Sequence, residues 1–228
     1  MEDEEMSGDQ KKTRLNRARV LEAAVELADE IGLEALTIRR LADELGVGAM
    51  TIYHHIASKE EIIDGMVEVV FTEIELPPTD TDWKTAMRQR CVSARQALNR
   101  HPWAAPLLES RTVPGPASLE HHESVLACLR GGGLSLQIAA HAYAILDSFV
   151  YGFAFEEATL PASGAEGFAE VAEQMAAHFP ADVYPRLAEL TFDHVLQPGY
   201  NFGDSFEFGL NLILDGLDRA AGVDQQKT

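Results

Sequence analysis

The residues with the clearest chemical potential lie between Thr37 and Lys59. From Gly46 through Ser58 the chain carries no acidic side chain. Ala49, Met50, Thr51, Tyr53 and His54 fall on one side of a short helical stretch, and Ile52 and Ile56 fall on the other. A surface meant only for water normally carries Asp or Glu. A surface meant for phosphates and base edges excludes them. Ser58 and Glu61 have the spacing of a capping box. That places Lys59 in a first helical turn beside free backbone amides, a ready phosphate contact. Upstream stand Arg39 and Arg40, and an arginine fork can pair bidentately with guanine.

The elements that must position these groups follow from periodicity. Ile38, Leu41, Ala42 and Leu45 recur at i, i+3, i+4 and i+7, one apolar face of a helix. Thr37 can cap its first turn, and Gly46 can take the left-handed conformation that ends it. Only Gly46-Val47-Gly48 separates this helix from the next. Two helices joined by so short a Gly-containing turn make a helix-turn-helix, whose second helix suits a major groove. A first helix is marked by Val20, Ala24, Leu27, Ala28 and Ile31, running from Arg14 to Ile31. Its basic start is either a solvated arm or a phosphate-facing one.

The order T-x-R-x-L-A-x-x-L-G-V, then T-x-Y-x-H, then K-x-x-(I/L), resembles the DNA-binding domain of the TetR family of transcriptional regulators over Val20 to Ile63. R-H-P-W at Arg100 to Trp103 and Y-G-F at Tyr151 to Phe153 are similar to the ligand-sensing domain of many members. The resemblance implies DNA contacts from Thr37, Arg39, Arg40, Gly48, Ala49, Met50, Thr51, Tyr53, His54 and Lys59. Arg39 would read a base; Thr37, Tyr53 and Lys59 would hold phosphates. It further implies a dimer whose two heads occupy successive major grooves of a near-palindromic operator. A small molecule in the body would pull on the connecting helix and spoil the spacing of the heads.

Charge fits this division. The formal net charge is −19, unusual for a partner of a polyanion, but it is unevenly spread. Residues 1–10 hold five acids and no base; residues 11–59 hold eight bases and seven acids; residues 60–228 hold ten bases and 25 acids. The only stretch that is not acidic is the one proposed to meet DNA. The acidic remainder favours solubility and disfavours nonspecific wrapping of DNA. The N-terminus, Met1-Glu-Asp-Glu-Glu, is the opposite of a signal peptide and reads as a disordered tail.

Past Lys59, Ile62, Ile63, Met66, Val70, Phe71 and Ile74 form one long stripe, stopped at Leu76-Pro77-Pro78. The body then reads as helices: one carrying Trp83, Met87, Cys91, Ala94 and Leu98; a short one starting at Pro102; one on Leu119, Leu126 and Leu129. Next come Ser135–Phe155, a segment from the 156–164 loop to about His178, one near Tyr184–Val195, and a last one near Asp204–Ala221. Ser135–Phe155 has Asp147 as its only formal charge. Gln137, His141 and Asp147, with no basic flank, argue for burial rather than a membrane span.

Surplus apolar surface on Ser135–Phe155 and Asp204–Ala221 predicts a homodimer through a four-helix bundle, using Tyr143, Leu146, Val150, Phe206, Leu210, Ile213, Leu214 and Leu217. A mostly apolar effector pocket is expected from Trp83, Met87, Cys91, Trp103, Leu107, Leu126, Phe149 and Phe153, with Met175 as a further adaptable wall and Arg95, Arg111 and Glu123 nearest to orient a polar group. Cys91 and Cys128 read as reduced thiols. Adjacent histidines, at His54-His55 and His121-His122, diverge by about 100° on a helix and do not share a metal; no metal or cofactor is expected, and no nucleophile–base pair stands out.

The fold expected is all-α: an N-terminal three-helix helix-turn-helix domain and a larger helical domain for ligand binding and dimerisation. The divisions are a tail at 1–13, a DNA-binding domain at 14–58, a connecting helix at 59–78 and the body at 79–228. The function expected is a cytoplasmic, ligand-responsive repressor, not an enzyme, with double-stranded operator DNA and a small hydrophobic effector as partners and no membrane. The alternative is a helical small-molecule-binding protein or enzyme without a DNA-binding role.

Overall fold

The computed structural model describes residues 15–108, 110–111, 113–160 and 180–225, with side chains to residue 222. The expected tail at 1–13, with Lys11, Lys12 and Arg14, lies outside these residues, as do Met175 and the helix expected before His178. Every regular element among the described residues is helical. The chain divides into two compact units, Met1–Val69 and Val70–Thr228.

In the first unit α1 spans Arg17–Ile31. It starts later than periodicity suggested because Asn16 caps it, its Oδ1 accepting from the Arg19 N–H at 2.9 Å. α1 buries Val20, Leu21, Ala24, Leu27 and Ala28. After a single 3₁₀ turn, Leu33–Ala35, α2 spans Ile38–Glu44. Thr37 caps it, Oγ1 accepting from the Arg40 N–H at 3.2 Å. Gly46, at φ +64°, ends it with a paired closure: Gly46 N–H donates to Asp43 O and Val47 N–H to Ala42 O. α3 follows at Ala49–Tyr53. Five residues do not hold a helix in water; Ile52 and Ile56, both buried, fix it from below. α4 spans Lys59–Glu73, and the division between the units falls within it. At its start, Ser58 Oγ accepts from Glu61 N–H at 3.1 Å, while the Glu61 carboxylate reaches back to Ala57 N–H at 2.9 Å. The reciprocal bond thus lands one residue earlier than in a strict capping box.

The second unit is organised by a long helix. α5 is Trp83–Arg100, α6 Ala105–Leu108, α7 Pro116–Gly131 and α8 Leu136–Thr159. α9, Pro185–Leu190, runs into a π-turn at Thr191–Val195, and α10 spans Asp204–Gln225. α8 packs against α5, α6, α7 and α10, and α5 against α7 and α10. Their inner faces bring Met87, Ala94, Leu98, Leu129, Leu146, Val150, Phe206 and Leu210 into one core. The end of α4 joins this unit through Glu73, whose carboxylate takes Arg100 at 2.7 Å and lies 3.0 Å from His101 Nε2.

Three expectations change here. α6 begins at Ala105, not Pro102. α7 turns Ser118, His121, Val125 and Leu129 inward and leaves Leu119 exposed; polar Ser118 and His121 share its buried stripe, so Leu129 lies on the inner face as expected and Leu119 does not. α8 is buried on one side only, with Leu136, Ile145 and Phe155 exposed.

A close approach at the end of α7 gives a test. A Cβ on Gly132 would lie 2.5 Å from Trp83 Cβ, whereas one on Gly131 meets nothing within 4 Å. Gly132→Ala should destabilise the protein by about 1–3 kcal/mol through overpacking. Gly131→Ala should be neutral or slightly stabilising. Equal chemical denaturation midpoints for the two variants would contradict the packing described.

Candidate nucleic-acid interface and buried polar cluster

The first unit presents the predicted reading face outward. Arg39, Ala49, Met50, Tyr53, His54 and Lys59 are exposed, and Thr51 is half-exposed. Met50 is 70% exposed, an apolar side chain held in water on a helix without acids. Among the described residues no carboxylate pairs with Arg39 or Lys59, so both cations are available to an anion. Two residues already have local work. Thr37 caps α2, and the Arg40 guanidinium donates to Ala35 O at 3.2 Å, which ties it to the preceding turn. The seven-residue α2, its Gly46 closure and the buried Ile52 hold the short α3 on a firm base. Such a base suits recognition, because a groove reader must hold its side chains in register.

In the second unit the eight residues expected to line one pocket meet different neighbours. Trp83 packs on Gly132. Trp103 stands 6.0 Å from His101. Leu107 and Leu126 are half-buried, and Met87 and Cys91 are wholly buried on α5. Burial pushes the Cys91 thiol up to about 11, which keeps it inert. Phe149 and Phe153 join a separate aromatic cluster: Phe149 stacks on Phe206 at 5.3 Å and Phe153 on Phe202 at 4.7 Å. Arg95 lies over Phe153 and Phe206 and pairs with Glu157 at 2.5 Å, so it braces α5 against α8 and α10. Glu123 is exposed.

The polar centre of the unit is elsewhere. Arg90 on α5 is fully buried. Its Nη1 donates to Asp147 Oδ1 on α8 at 2.5 Å, and its Nε donates to His121 Nε2 on α7 at 3.0 Å. Its Nη2 lies 2.7 Å from the same ring nitrogen and 3.4 Å from Tyr151 Oη. Burial opposes the guanidinium charge, but Asp147 and Tyr151 more than offset it, and the Arg90 pKa rises. Burial, Arg90 and His122 push His121 down to about 3, so it is neutral. Because Nε2 accepts from Arg90, the proton sits on Nδ1. Among the described residues, His121 Nδ1 and Asp147 Oδ2 are both buried without a hydrogen-bond partner. Sequence reading did not single out Arg90. The available signal was its place between Met87 and Ala94 on the apolar face, together with Asp147 alone in the most hydrophobic stretch.

The expected dimer seam is corrected. Leu146, Val150, Phe206, Leu210 and Leu214 are fully buried within the protomer, and Leu217 is nearly so. They form its core and have no surface to offer a partner. Tyr143 and Ile213 are half-buried, and the Tyr143 hydroxyl lies 2.6 Å from His122 Nδ1. The large apolar side chains left outside on these two helices, among the described residues, are Leu136, Ile145 and Phe155 on α8 and Phe208 and Leu212 on α10.

Residues 20–66 match the family model for bacterial regulatory proteins of the tetR family, and residues 76–220 match that for the tetracyclin repressor-like C-terminal domain. An HTH-type transcriptional repressor of Streptomyces coeruleorubidus is 34% identical over 216 residues, covering 91% of this chain and 78% of that one. The class C tetracycline repressor of Escherichia coli is 28% identical over 209 residues, covering 90% and 92%. Among solved structures, the Streptomyces coelicolor TetR family protein ActR in complex with actinorhodin superposes with a TM-score of 0.75 at 30% identity, covering 92% of this chain and 98% of that one.

The buried pair sets a stability test. Asp147→Leu alone leaves a guanidinium charge uncompensated in the core and should cost about 3–5 kcal/mol. Arg90→Met/Asp147→Leu should recover most of that loss, short of wild type by about 1–3 kcal/mol because His121 loses its donor. Denaturant titration of the two variants checks the order; a double variant no more stable than the single one would contradict it.

Proposed function

Because the chain belongs to the TetR family, we propose that it is a ligand-responsive repressor that binds a near-palindromic operator as a homodimer and releases it when a small molecule occupies the body. The observation that supports this reading best is the acid-free face of α3 flanked by the unpaired cations Arg39 and Lys59. In this reading Arg39 reads a base edge, Lys59 and Tyr53 hold phosphates, and Ala49, Met50, Thr51 and His54 fill the groove between them. Thr37 and Gly48 shape the turn on either side and reach the backbone of the DNA. A regulator of genomic DNA works in the cytoplasm, and no membrane or catalytic role is needed to account for its surfaces. An enzyme or carrier without a DNA role would have no use for the exposed Met50 and Tyr53 on an otherwise acid-free helix.

Dimerisation uses the outer faces of α8 and α10. Ala144 beside Ile145, and Ser148 and Gly152 between Ile145 and Phe155, are exposed, and small residues let two helices approach closely. With Phe208 and Leu212 beside them they make a surface that pairs with its own symmetry mate as a four-helix bundle. One weak half-site per protomer then becomes a strong site for the pair. Control by the effector follows only when it favours one of two states of the dimer; tight binding alone shifts nothing.

Selection from random duplexes supplies the operator for the tests. Lys59→Ala should weaken binding to all sequences alike and flatten the dependence on salt by about one unit of slope. Arg39→Ala should relax preference at one base pair per half-site, at a cost of about 1–3 kcal/mol. Unchanged operator affinity in both variants, measured by fluorescence anisotropy on folded protein, would overturn the assignment. Leu212→Arg, on the outer face of α10, should sediment as a monomer and lose operator binding, while a wild type that is monomeric at micromolar concentration would exclude the bundle.

A further inference from the structure

The buried cluster of the second unit has an inventory that constrains what it can receive. All three guanidinium nitrogens of Arg90 are engaged, with Asp147, His121 and Tyr151. The Asp147 charge is matched once, at Oδ1, and its second oxygen is buried with no partner. On α7, His121 uses Nε2 as an acceptor, which leaves a buried N–H at Nδ1, also without a partner. The cluster therefore has one strong acceptor and one donor left over among the described residues, and its arginine has no spare nitrogen. The neighbouring helix positions are apolar and buried, Met87 and Cys91 next to Arg90 on α5 and Leu146 and Val150 next to Asp147 on α8, and the Phe71 ring lies 5.4 Å from the His121 ring. Buried polar atoms of this kind are normally satisfied, by protein, by ordered water or by a bound ligand.

We propose that Asp147 Oδ2 is the hydrogen-bond acceptor for a hydroxyl group of the effector, and that the effector is a neutral hydroxyl-bearing ring compound rather than an anion. This rests on the reading of the body as an effector-binding unit and deepens it. An acidic effector would bring a second negative charge against a carboxylate oxygen in a medium of low dielectric, where like charges repel strongly. It would find the arginine already neutralised. A hydroxyl donates its hydrogen to Oδ2 and adds no charge beside the carboxylate. Sites built to hydrogen-bond a hydroxyl reject analogues that lack it, because their own buried groups are then stranded. The inference narrows the small hydrophobic effector expected from the sequence.

Three probes of one ring system separate the possibilities: 2-naphthol, which donates; 2-methoxynaphthalene, which has the oxygen but no hydrogen to donate; and 2-naphthoate, which is anionic. Calorimetric titration of the full chain near neutral pH should show 2-naphthol bound about tenfold or more tightly than 2-methoxynaphthalene, with 2-naphthoate weakest. In Arg90→Met/Asp147→Leu, checked for a cooperative melt, the ratio of the first two affinities should fall to about one. The wild-type ranking stands as a test even where that variant does not fold. Equal affinities in the wild type, a preference for 2-naphthoate, no saturable binding of any probe, or a preference that survives in the folded double variant would each overturn the proposal. Operator binding, measured in parallel by anisotropy, reports separately on the regulator reading: its loss in the wild type would strike that reading, while a failed ranking with intact operator binding strikes only this one.

Discussion

A buried charge cannot be left alone, and that constraint shapes the second unit. Arg90 has no exposed surface, and the groups that satisfy it come from two other helices, His121 on α7 and Asp147 on α8. Three helices are thereby fixed in depth and rotation more tightly than apolar contact alone would fix them. Leucine packing tolerates small slides; a guanidinium held from several sides does not. The stability such a cluster adds is small against an apolar substitute, and its return is geometric. The same fixity leaves one carboxylate oxygen and one ring N–H aimed into the interior with nothing to hold. Around this centre the aromatic brace of Arg95 with Phe153 and Phe206 secures α10 to the same two long helices.

The first unit solves a different problem. A five-residue helix has to be presented as if it were rigid. Its stability is borrowed from Ile52 and Ile56 beneath it, from the capped α2 before it and from the hydrogen-bonded start of α4 after it. Because its packing comes from below, its outer side chains are free to be chosen for recognition alone. That freedom is visible in Met50 and Tyr53, which no consideration of folding would place in water.

How much of this was legible depended on how far apart the cooperating residues lie. The Thr37 cap, the Gly46 turn and the inward Ile52 and Ile56 are local patterns, and the chain spells them within a few residues. The pairing of Arg90 with Asp147 joins positions 57 apart in sequence, and periodicity carries no trace of it. On α5 a single arginine in an apolar stripe reads like any solvated charge until a partner is found. The two-faced α8 failed for another reason. Leu146 and Val150 point inward while Ile145 and Phe155 point outward, yet all four are apolar, so hydrophobicity cannot say which side faces the chain's own core. α7 misled in the opposite sense, since Ser118 and His121 are buried and Leu119 is not.

In the dimer proposed above, the outer apolar face on α8 and α10 also couples the fate of the folded chain to its abundance. Phe155, Phe208 and Leu212 are more than half exposed in the single protomer, and covering them stabilises the folded state only in proportion to how often two copies meet. By mass action the apparent melting temperature then rises with protein concentration. In a cell that holds few copies, freshly made chains would spend part of their lives unpaired, open to proteases and silent on DNA. Copy number would set the threshold at which the switch exists at all, before any small molecule is present to throw it.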